Sequence, residues 1–200
     1  AKVNLTLEVL GRRPDGYHEI RSVMQAVSLA DRLTFGPAPD GAITLAGGSA
    51  EAPPDDSNLV LRAARALAES AGVTYGAAMT LEKHIPAGAG LGGGSSDAAA
   101  TLLALCRLWD LDIPSSSLSD IAAGLGSDVP FFLTEGTALA EGRGERLTNL
   151  RPAAGLWLAL AKPAASLPTP AVYAAFASGG VYRADDGTQG LLDALRSGSV

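Results

Sequence analysis

The chain has 200 residues, of which 47% are hydrophobic and 18% charged, as expected of a globular protein with one large or two small domains. Its formal net charge of −6 argues against a nucleic-acid partner, because binding a phosphate backbone requires clustered Lys and Arg. Only 5% of the residues are aromatic, so the core must be mainly aliphatic. The single cysteine, Cys106, excludes an internal disulfide framework and a cysteine-rich metal site.

The sequence shows no signal peptide and no apolar run of about 18 residues, so we expect a soluble cytoplasmic protein with no membrane partner. The chain starts at Ala1 rather than at Met and stops without an obvious closing element. We therefore expect both ends to be incomplete.

The first part of the chain favours extended structure. Residues 3–10 alternate in the period-2 manner of a half-buried strand and place four apolar side chains on one face: Val3, Leu5, Leu7 and Val9. The segment 14–16, Pro-Asp-Gly, predicts a turn, because Pro presets φ and Gly accepts a positive φ. Further extended runs are predicted near residues 18–29, 33–35 and 42–46.

The first predicted helix follows a polar loop. Ser57 and Asn58 open a predicted helix that stops at Gly72. The later predictions, in chain order, are a strand over 79–85, a helix over about 95–109, a short helix after Pro114 ending at Gly124 or Gly126, two extended pieces over 137–147, a compact apolar strand over 156–161, a linker over 163–170 and weak helices over 171–177 and 187–196. Strands and helices mix without regular alternation, which favours an α+β fold.

The most informative segment is a glycine-rich run before the second helix. It reads Pro86, Ala87, Gly88, Ala89, Gly90, Leu91, Gly92, Gly93, Gly94, Ser95 and Ser96. Glycine lets a ligand approach the main chain closely, and the first amides of the following helix have no internal partner. Such a terminus binds anions, and Ser95 or Ser96 can add a hydroxyl to a phosphate or to Mg²⁺. The run therefore predicts a phosphate site.

Other interpretations of this run are weaker. Gly88, Gly90 and Gly93 formally satisfy the dinucleotide fingerprint, which also needs an acidic residue at the end of a second parallel strand. Asp110 and Asp112 follow the helix directly, and no room is left for that strand. The Walker loop is excluded because no Gly-Lys-Ser/Thr follows the glycines. A glycine-rich hairpin or a plain helix N-cap is the remaining alternative.

Two charged residues are further candidates for phosphoryl transfer. Asp128 lies between a glycine turn and an apolar run, where an acid is more often a turn or cap residue. Lys2 opens the first strand, where a solvent-facing lysine is the common case. A carboxylate can orient an acceptor hydroxyl and a cation can hold the transferred phosphoryl group. Spacing alone does not pair Lys2 with Asp128.

Three segments resemble the GHMP small-molecule kinases: Ala1–Leu5 with Asp15–His18, Pro86–Asp97, and Leu125–Pro130. The resemblance implies an α+β fold with a GHMP kinase N-terminal domain, ribosomal protein S5 domain 2-like, over residues 1–150. It also implies that residues 151–200 begin a ferredoxin-like C-terminal domain on the substrate side. The family carries another glycine-rich motif near its C-terminus, and nothing after Tyr173 resembles it. We therefore expect this second domain to be incomplete.

The resemblance implies transfer of the ATP γ-phosphoryl group to the 2-hydroxyl of a cytidine diphosphate-linked methylerythritol, in non-mevalonate isoprenoid biosynthesis. The implied roles are a catalytic pair of Lys2 and Asp128, an ATP phosphate loop over Pro86–Ser96, adenine-flanking Asn58 and Lys83, Mg²⁺ at Ser96, and substrate contacts from Asn4, Tyr17, His18, Thr169 and Tyr173. Tyr17 and Tyr173 would stack on the cytosine. Two alternatives stay open: a GHMP kinase with another acceptor, such as homoserine or mevalonate, and a nucleotide-binding module without turnover.

Overall fold

The computed structural model describes residues 1–49, 54–134, 136–153, 155–163, 169–179 and 187–198. The chain divides into two compact units. The first, called unit 1 here, comprises Ala1 and residues 28–87 and 92–133, and the second, unit 2, comprises residues 2–27, 88–91 and 134–200. Within the described ranges no helix has both the length and the apolar character needed to cross a membrane. The predicted domain boundary at residue 150 stays a prediction.

The described residues form seven strands and five α-helices. The strands are β1 (Lys2–Arg12), β2 (His18–Ala26), β3 (Arg32–Ala38), β4 (Ile43–Gly47), β5 (Gly76–Glu82), β6 (Thr137–Gly142) and β7 (Arg146–Asn149). The helices are α1 (Leu59–Ala71), α2 (Gly93–Leu108), α3 (Ser115–Leu125), α4 (Thr169–Gly179) and α5 (Gly187–Ser197).

Unit 1 combines the sheet β3-β5-β4 with helices α1, α2 and α3. β5 pairs antiparallel with β3 and parallel with β4. Asn58 caps α1 by accepting a hydrogen bond from the amide of Val60 (3.0 Å), and Gly72 ends it with φ of 65°. The core is aliphatic, as predicted, with Leu67, Leu81 and their neighbours fully buried. This burial fixes the two elements that flank the glycine-rich run, β5 and α2.

Unit 2 contains an antiparallel sheet in the order β1-β2-β6-β7. Helix α5 packs on it through Leu192 and Leu195, which join Val23 of β2 in a small apolar cluster. The segments 171–177 and 187–196 are helical, as predicted. The two extended pieces predicted over 137–147 are β6 and β7, and the chain turns between them at Gly142 and Gly144.

The predicted buried face of β1 is wrong in part. Leu7 is exposed, whereas its neighbour Glu8 is buried and accepts a hydrogen bond from the amide of Thr188 in α5 (3.2 Å). The pairing of β1 with β2 shifts between Asn4 and Thr6. A bulge of this kind adds one residue to a strand and so reverses which side chains face the core.

The apolar strand predicted over 156–161 is also wrong. Residues 156–163 form neither strand nor helix, and Trp157 is 95% exposed. A strand needs a hydrogen-bonding neighbour, and no described strand pairs with this segment. In the predicted linker, residues 164–168 lie outside the described residues, and Thr169 already begins α4.

Candidate active site

The glycine-rich run leads from β5 into α2 and is shaped by its glycines. Gly88, Gly90 and Gly92 have φ of 63°, 71° and 68°, in the left-handed region that favours glycine. Helix α2 begins at Gly93, two residues before the predicted start. The amides of its first turn lack intrahelical acceptors and carry partial positive charge. This backbone therefore presents donors suited to phosphate oxygens.

Gly93 occupies a position where a side chain does not fit. A Cβ atom there would lie 3.0 Å from Cγ2 of Ile85 and 3.3 Å from Nζ of Lys83. The start of α2 is thereby pressed against the segment that follows β5. The next residue, Gly94, has more space, since its Cβ would meet only Cδ1 of Leu59 at 3.4 Å.

Ser96 uses its hydroxyl to close the first turn of α2. Its Oγ donates to the carbonyl oxygen of Gly93 (2.7 Å), and its amide donates to that of Gly92 (2.8 Å). The Oγ lone pairs are not used by these donations, and a hydroxyl oxygen is a suitable ligand for Mg²⁺. The residues present thus fit a cation that is held mainly by phosphate oxygens.

Lys2 is tied to the glycine-rich run through its backbone. Its amide donates to the carbonyl oxygen of Leu91 (2.8 Å), and its side-chain Nζ donates to Oδ1 of Asn4 (2.8 Å). Asn4 in turn donates from Nδ2 to Oγ of Ser22 (2.7 Å), a residue with no exposed surface. Lys2 is itself buried. Three predicted site residues, Lys2, Asn4 and Leu91, are therefore neighbours in unit 2.

Lys83 lies in a buried ion triad that also contains Asp31 and Asp97. Its Nζ contacts Oδ2 of Asp31 and lies 2.9 Å from Oδ2 of Asp97. Asp31 also accepts hydrogen bonds from the amides of His84 (2.5 Å) and Ile85 (2.8 Å). The triad therefore fixes the segment between β5 and the glycine-rich run. Its three formal charges sum to −1.

The environment of the triad shifts the pKa values of its members in different directions. Loss of water raises the pKa of the Asp97 carboxyl to about 6, more than the nearby Lys83 ammonium offsets. Burial acts the same way on Asp31, but its hydrogen bonds from Lys83, Ile85 and His84 hold its pKa below the usual value. Burial would lower the pKa of Lys83, yet the two carboxylates raise it.

Sequence reasoning missed Asp31 and Asp97. For Asp97 a signal existed, because Asp97, Thr101 and Leu105 follow one another at intervals of four and share the buried face of α2. Asp31 precedes β3, and it faces Lys83 only because Arg32 pairs with Glu82 across the sheet. That register has no local sequence signal.

The other predicted residues of the ATP side lie in local structural roles. Asn58 is the buried N-cap of α1. Asp128 is half-buried in the turn between α3 and the short 3₁₀ turn Pro130–Leu133. The assignments of Asn58 and Lys83 to adenine, and of Asp128 to the acceptor hydroxyl, stay predictions.

The predicted substrate residues gather on unit 2. Tyr17 closes the turn before β2, where its carbonyl accepts from the amide of Arg13 (2.8 Å), and its side chain is 52% exposed. His18 stacks on Tyr173 of α4, with ring centres 4.8 Å apart and planes inclined by 20°. Thr169 is exposed at the start of the same helix. The substrate roles of these residues stay predictions.

Comparison with known proteins decides the family. The GHMP kinases N terminal domain matches residues 58–136. A 4-diphosphocytidyl-2-C-methyl-D-erythritol kinase from Pelotomaculum thermopropionicum is 50% identical over 200 residues, which are 100% of this chain and 69% of that protein. The chain belongs to this kinase family. The recognition made from three sequence segments is thereby confirmed.

Further relatives agree with this family assignment. A kinase of the same name from Heliobacterium modesticaldum is 53% identical over 176 residues, which are 88% of this chain and 56% of that protein. A crystal structure of 4-(cytidine 5'-diphospho)-2C-methyl-D-erythritol kinase matches with a TM-score of 0.76 and 42% identity, over 99% of this chain and 70% of that one. The chain thus spans between 56% and 70% of these two proteins.

Membership in the family confirms the predicted α+β fold and the enzyme class. The family consists of kinases, for which ATP is the donor substrate and a small molecule carries the alcohol acceptor. Asp31 and Asp97, the two acids that contact the predicted site residue Lys83, both belong to unit 1.

Proposed function

We propose that the chain is the part of an ATP-dependent 4-diphosphocytidyl-2-C-methyl-D-erythritol kinase that binds the ATP phosphates and the cytidine end of the acceptor. The enzyme transfers the γ-phosphoryl group of ATP to the 2-hydroxyl of the acceptor. The hydrogen bond from the Lys2 amide to the Leu91 carbonyl supports this proposal most directly, because it joins the predicted catalytic lysine to the predicted phosphate loop.

Lys2 and Asp128 have complementary roles in the proposed reaction. The Lys2 ammonium, oriented by Oδ1 of Asn4, supplies positive charge to the transferred phosphoryl group. The Asp128 carboxylate orients the acceptor hydroxyl and takes its proton, an effect typically worth about 10²–10⁴ in rate. We propose direct in-line transfer, in which the acceptor oxygen attacks the γ-phosphorus as its proton passes to Asp128 and ADP leaves.

The glycine-rich run holds the donor. Its amides and the start of α2 accommodate the phosphates of ATP, and the lack of a side chain at Gly93 lets the start of α2 lie close to Ile85 and Lys83. Mg²⁺, when bound, neutralises phosphate charge, and we propose Ser96 as its protein ligand. Among the described residues no group of three or more His, Cys, Asp or Glu side chains could hold a metal. This fits a cation bound through phosphates and a single hydroxyl.

The acceptor is recognised through its base. Tyr17 and Tyr173 supply aromatic faces for cytosine, and His18 and Thr169 supply polar groups at its edge. Stacking of a base on an aromatic ring is worth about 1–3 kcal/mol in nucleic-acid sites. A small-molecule partner is also consistent with the net charge of −6. We place the reaction in the cytoplasm, where ATP is abundant.

The catalytic assignment is tested by Asp128→Asn in the full-length protein. We expect ADP formation with 4-diphosphocytidyl-2-C-methyl-D-erythritol to fall by about 10² or more, while ATP binding is retained. Asp120→Asn is the matched control, because Asp120 is an exposed acid on α3, the preceding helix. Wild-type turnover by Asp128→Asn would remove the proposed role of this residue.

The acceptor is tested separately by substrate competition. The wild-type protein should phosphorylate 4-diphosphocytidyl-2-C-methyl-D-erythritol and should not phosphorylate homoserine or mevalonate at matched concentrations. Phosphorylation of homoserine or mevalonate in place of the cytidine compound would contradict the proposed acceptor but not the proposed kinase activity.

A further inference from the structure

A cluster of arginines lies beside Tyr17 on unit 2, and two of its members are already occupied. Arg13 forms ion pairs with Asp15 (3.0 Å) and Glu19 (2.8 Å). Arg146 of β7 forms an ion pair with the other oxygen of Glu19 (2.8 Å). The positive charge of each of these two arginines is therefore already compensated by a carboxylate.

Arg143 differs from these two arginines. Its guanidinium carbon lies 5.0 Å from the centre of the Tyr17 ring, within the range of a cation–π contact. Its guanidinium forms no hydrogen bond or ion pair with any described residue. Asp15, the acid whose pKa Arg143 helps to lower, is already paired with Arg13. Arg143 therefore retains its five N–H donors for a ligand.

The hairpin turn between β6 and β7 fixes where Arg143 stands. Gly142 and Gly144 flank it with φ of 74° and 110°, and Oε2 of Glu145 accepts a hydrogen bond from the Arg143 amide (2.7 Å). The carboxylate of Glu145 thus closes the turn through the backbone. The side chain of Arg143 remains exposed at the tip.

The surroundings of Arg143 indicate what kind of ligand it meets. Tyr17, whose face it covers, is followed directly by His18, and the ring of His18 stacks on Tyr173. On unit 2 an aromatic ring, that of Tyr17, thus lies directly beside a guanidinium that forms no ion pair with any described residue. Aromatic faces bind planar bases, and the guanidinium fork matches phosphate oxygens in a bidentate manner. A ligand with both features is a nucleotide.

We propose that Arg143 is a specificity-determining residue that binds the diphosphate of the cytidine acceptor while its guanidinium rests on Tyr17. The inference rests on the proposed function, because it takes the cytidine end of the acceptor to bind near Tyr17. The cation–π contact holds the long side chain extended before the ligand arrives, which reduces the entropy lost on binding. Arg143 thereby selects a nucleotide over an uncharged nucleoside.

Cytidine and cytidine diphosphate are the probes that test this proposal, with binding measured by titration calorimetry on the full-length protein. Arg143→Gln should weaken binding of cytidine diphosphate about tenfold or more, since hydrogen bonds to charged groups are the strong ones. It should leave the affinity for cytidine within about twofold. In turnover assays the KM for the cytidine acceptor should rise, with kcat and the KM for ATP unchanged.

Arg146→Gln is the matched control, because Arg146 is an exposed arginine on the same hairpin with its charge already paired. It should leave the affinities for both probes unchanged. Equal binding of cytidine diphosphate by Arg143→Gln and wild type would overturn the proposal. An equal loss for cytidine and cytidine diphosphate would overturn it too, because Arg143 would then act only by supporting Tyr17.

The test also separates this inference from the function on which it rests. If the wild-type protein bound neither probe, the proposed acceptor would be wrong and the role of Arg143 would fall with it. If the wild type bound cytidine diphosphate more tightly than cytidine and Arg143→Gln kept that preference, the acceptor would stand and only Arg143 would be excluded.

Discussion

Each unit contains a cluster of acidic and basic side chains, and the two clusters use their charges in opposite ways. In unit 1 the side chains of Lys83, Asp31 and Asp97 are 9%, 2% and 5% exposed and satisfy one another. In unit 2 the cluster around Arg143 lies at the surface. Charges removed from water must be paired, whereas exposed charges contribute little to stability and stay available to a ligand. Substitutions in the first cluster should therefore affect folding, and those in the second should affect binding.

The largest effect on stability is expected for Lys83→Met. It removes the cation from the triad and leaves two buried carboxylates without it, a change that typically costs about 3–5 kcal/mol of unfolding free energy. Thermal or denaturant unfolding of the full-length protein measures this loss. The matched surface variant is Arg65→Gln, which breaks the exposed pair with Asp56 (2.8 Å) and should cost about 1 kcal/mol or less. Equal losses in the two variants would contradict the comparison of the clusters.

A pH dependence is expected from Asp97. Its pKa of about 6 in the folded chain lies above the ordinary carboxyl value of 3.8, so the folded state holds the proton more tightly than the unfolded state. The unfolding free energy contributed by Asp97 is therefore greatest below pH 4 and falls as pH rises to about 6, by about 3 kcal/mol. Asp97→Asn should remove this decline.

The measurement is the difference in melting temperature between wild type and Asp97→Asn from pH 4 to pH 8. The wild type should lose stability relative to the variant up to about pH 6 and then run parallel to it. Asp193→Asn, at an exposed acid of α5, is the control. A constant difference between wild type and Asp97→Asn at all pH values would be inconsistent with a raised pKa.

The glycines at the start of α2 allow a comparison between adjacent positions. Gly93→Ala should lower the unfolding free energy by about 1–3 kcal/mol, because the new Cβ lies too close to Ile85 and Lys83. Gly94→Ala meets only Leu59 at an ordinary distance and should be neutral or stabilising by up to about 1 kcal/mol through helix propensity. Denaturant unfolding of both variants measures these changes in free energy, and titration with ATP shows whether each variant still binds it. Indistinguishable variants would show that the start of α2 relaxes around Gly93.

Local signals in the sequence were sufficient for much of the fold. Asn58 and Gly72 marked both ends of α1, because each acts through its own backbone geometry. The two extended pieces over 137–147 were likewise predicted from their residues. The phosphate site indicated by the glycine-rich run stays a prediction.

What the sequence did not predict depends on contacts between distant residues. The approach of Asp31 to Lys83 follows from the register of β3 and β5, and the burial of Glu8 follows from a bulge in β1 and from α5. The apolar run after residue 155 indicated a strand, yet pairing requires a neighbouring strand that no local pattern can supply. Arg143 stood out by neither spacing nor composition, because its position beside Tyr17 follows from the pairing of β2 with β6.

The smallest effect on stability is expected at Tyr17, where binding should change instead. Tyr17→Leu alters an exposed side chain and should change the unfolding free energy by about 0.5 kcal/mol or less. It removes an aromatic face and should weaken binding of cytidine diphosphate by about 1–3 kcal/mol. Tyr75→Leu is the control on unit 1, because the Tyr75 side chain is exposed to a similar extent, 54%. A loss of affinity in Tyr75→Leu as large as in Tyr17→Leu would mean that binding responds to aromatic content in general, and the assignment of the base to the surface of unit 2 would fail.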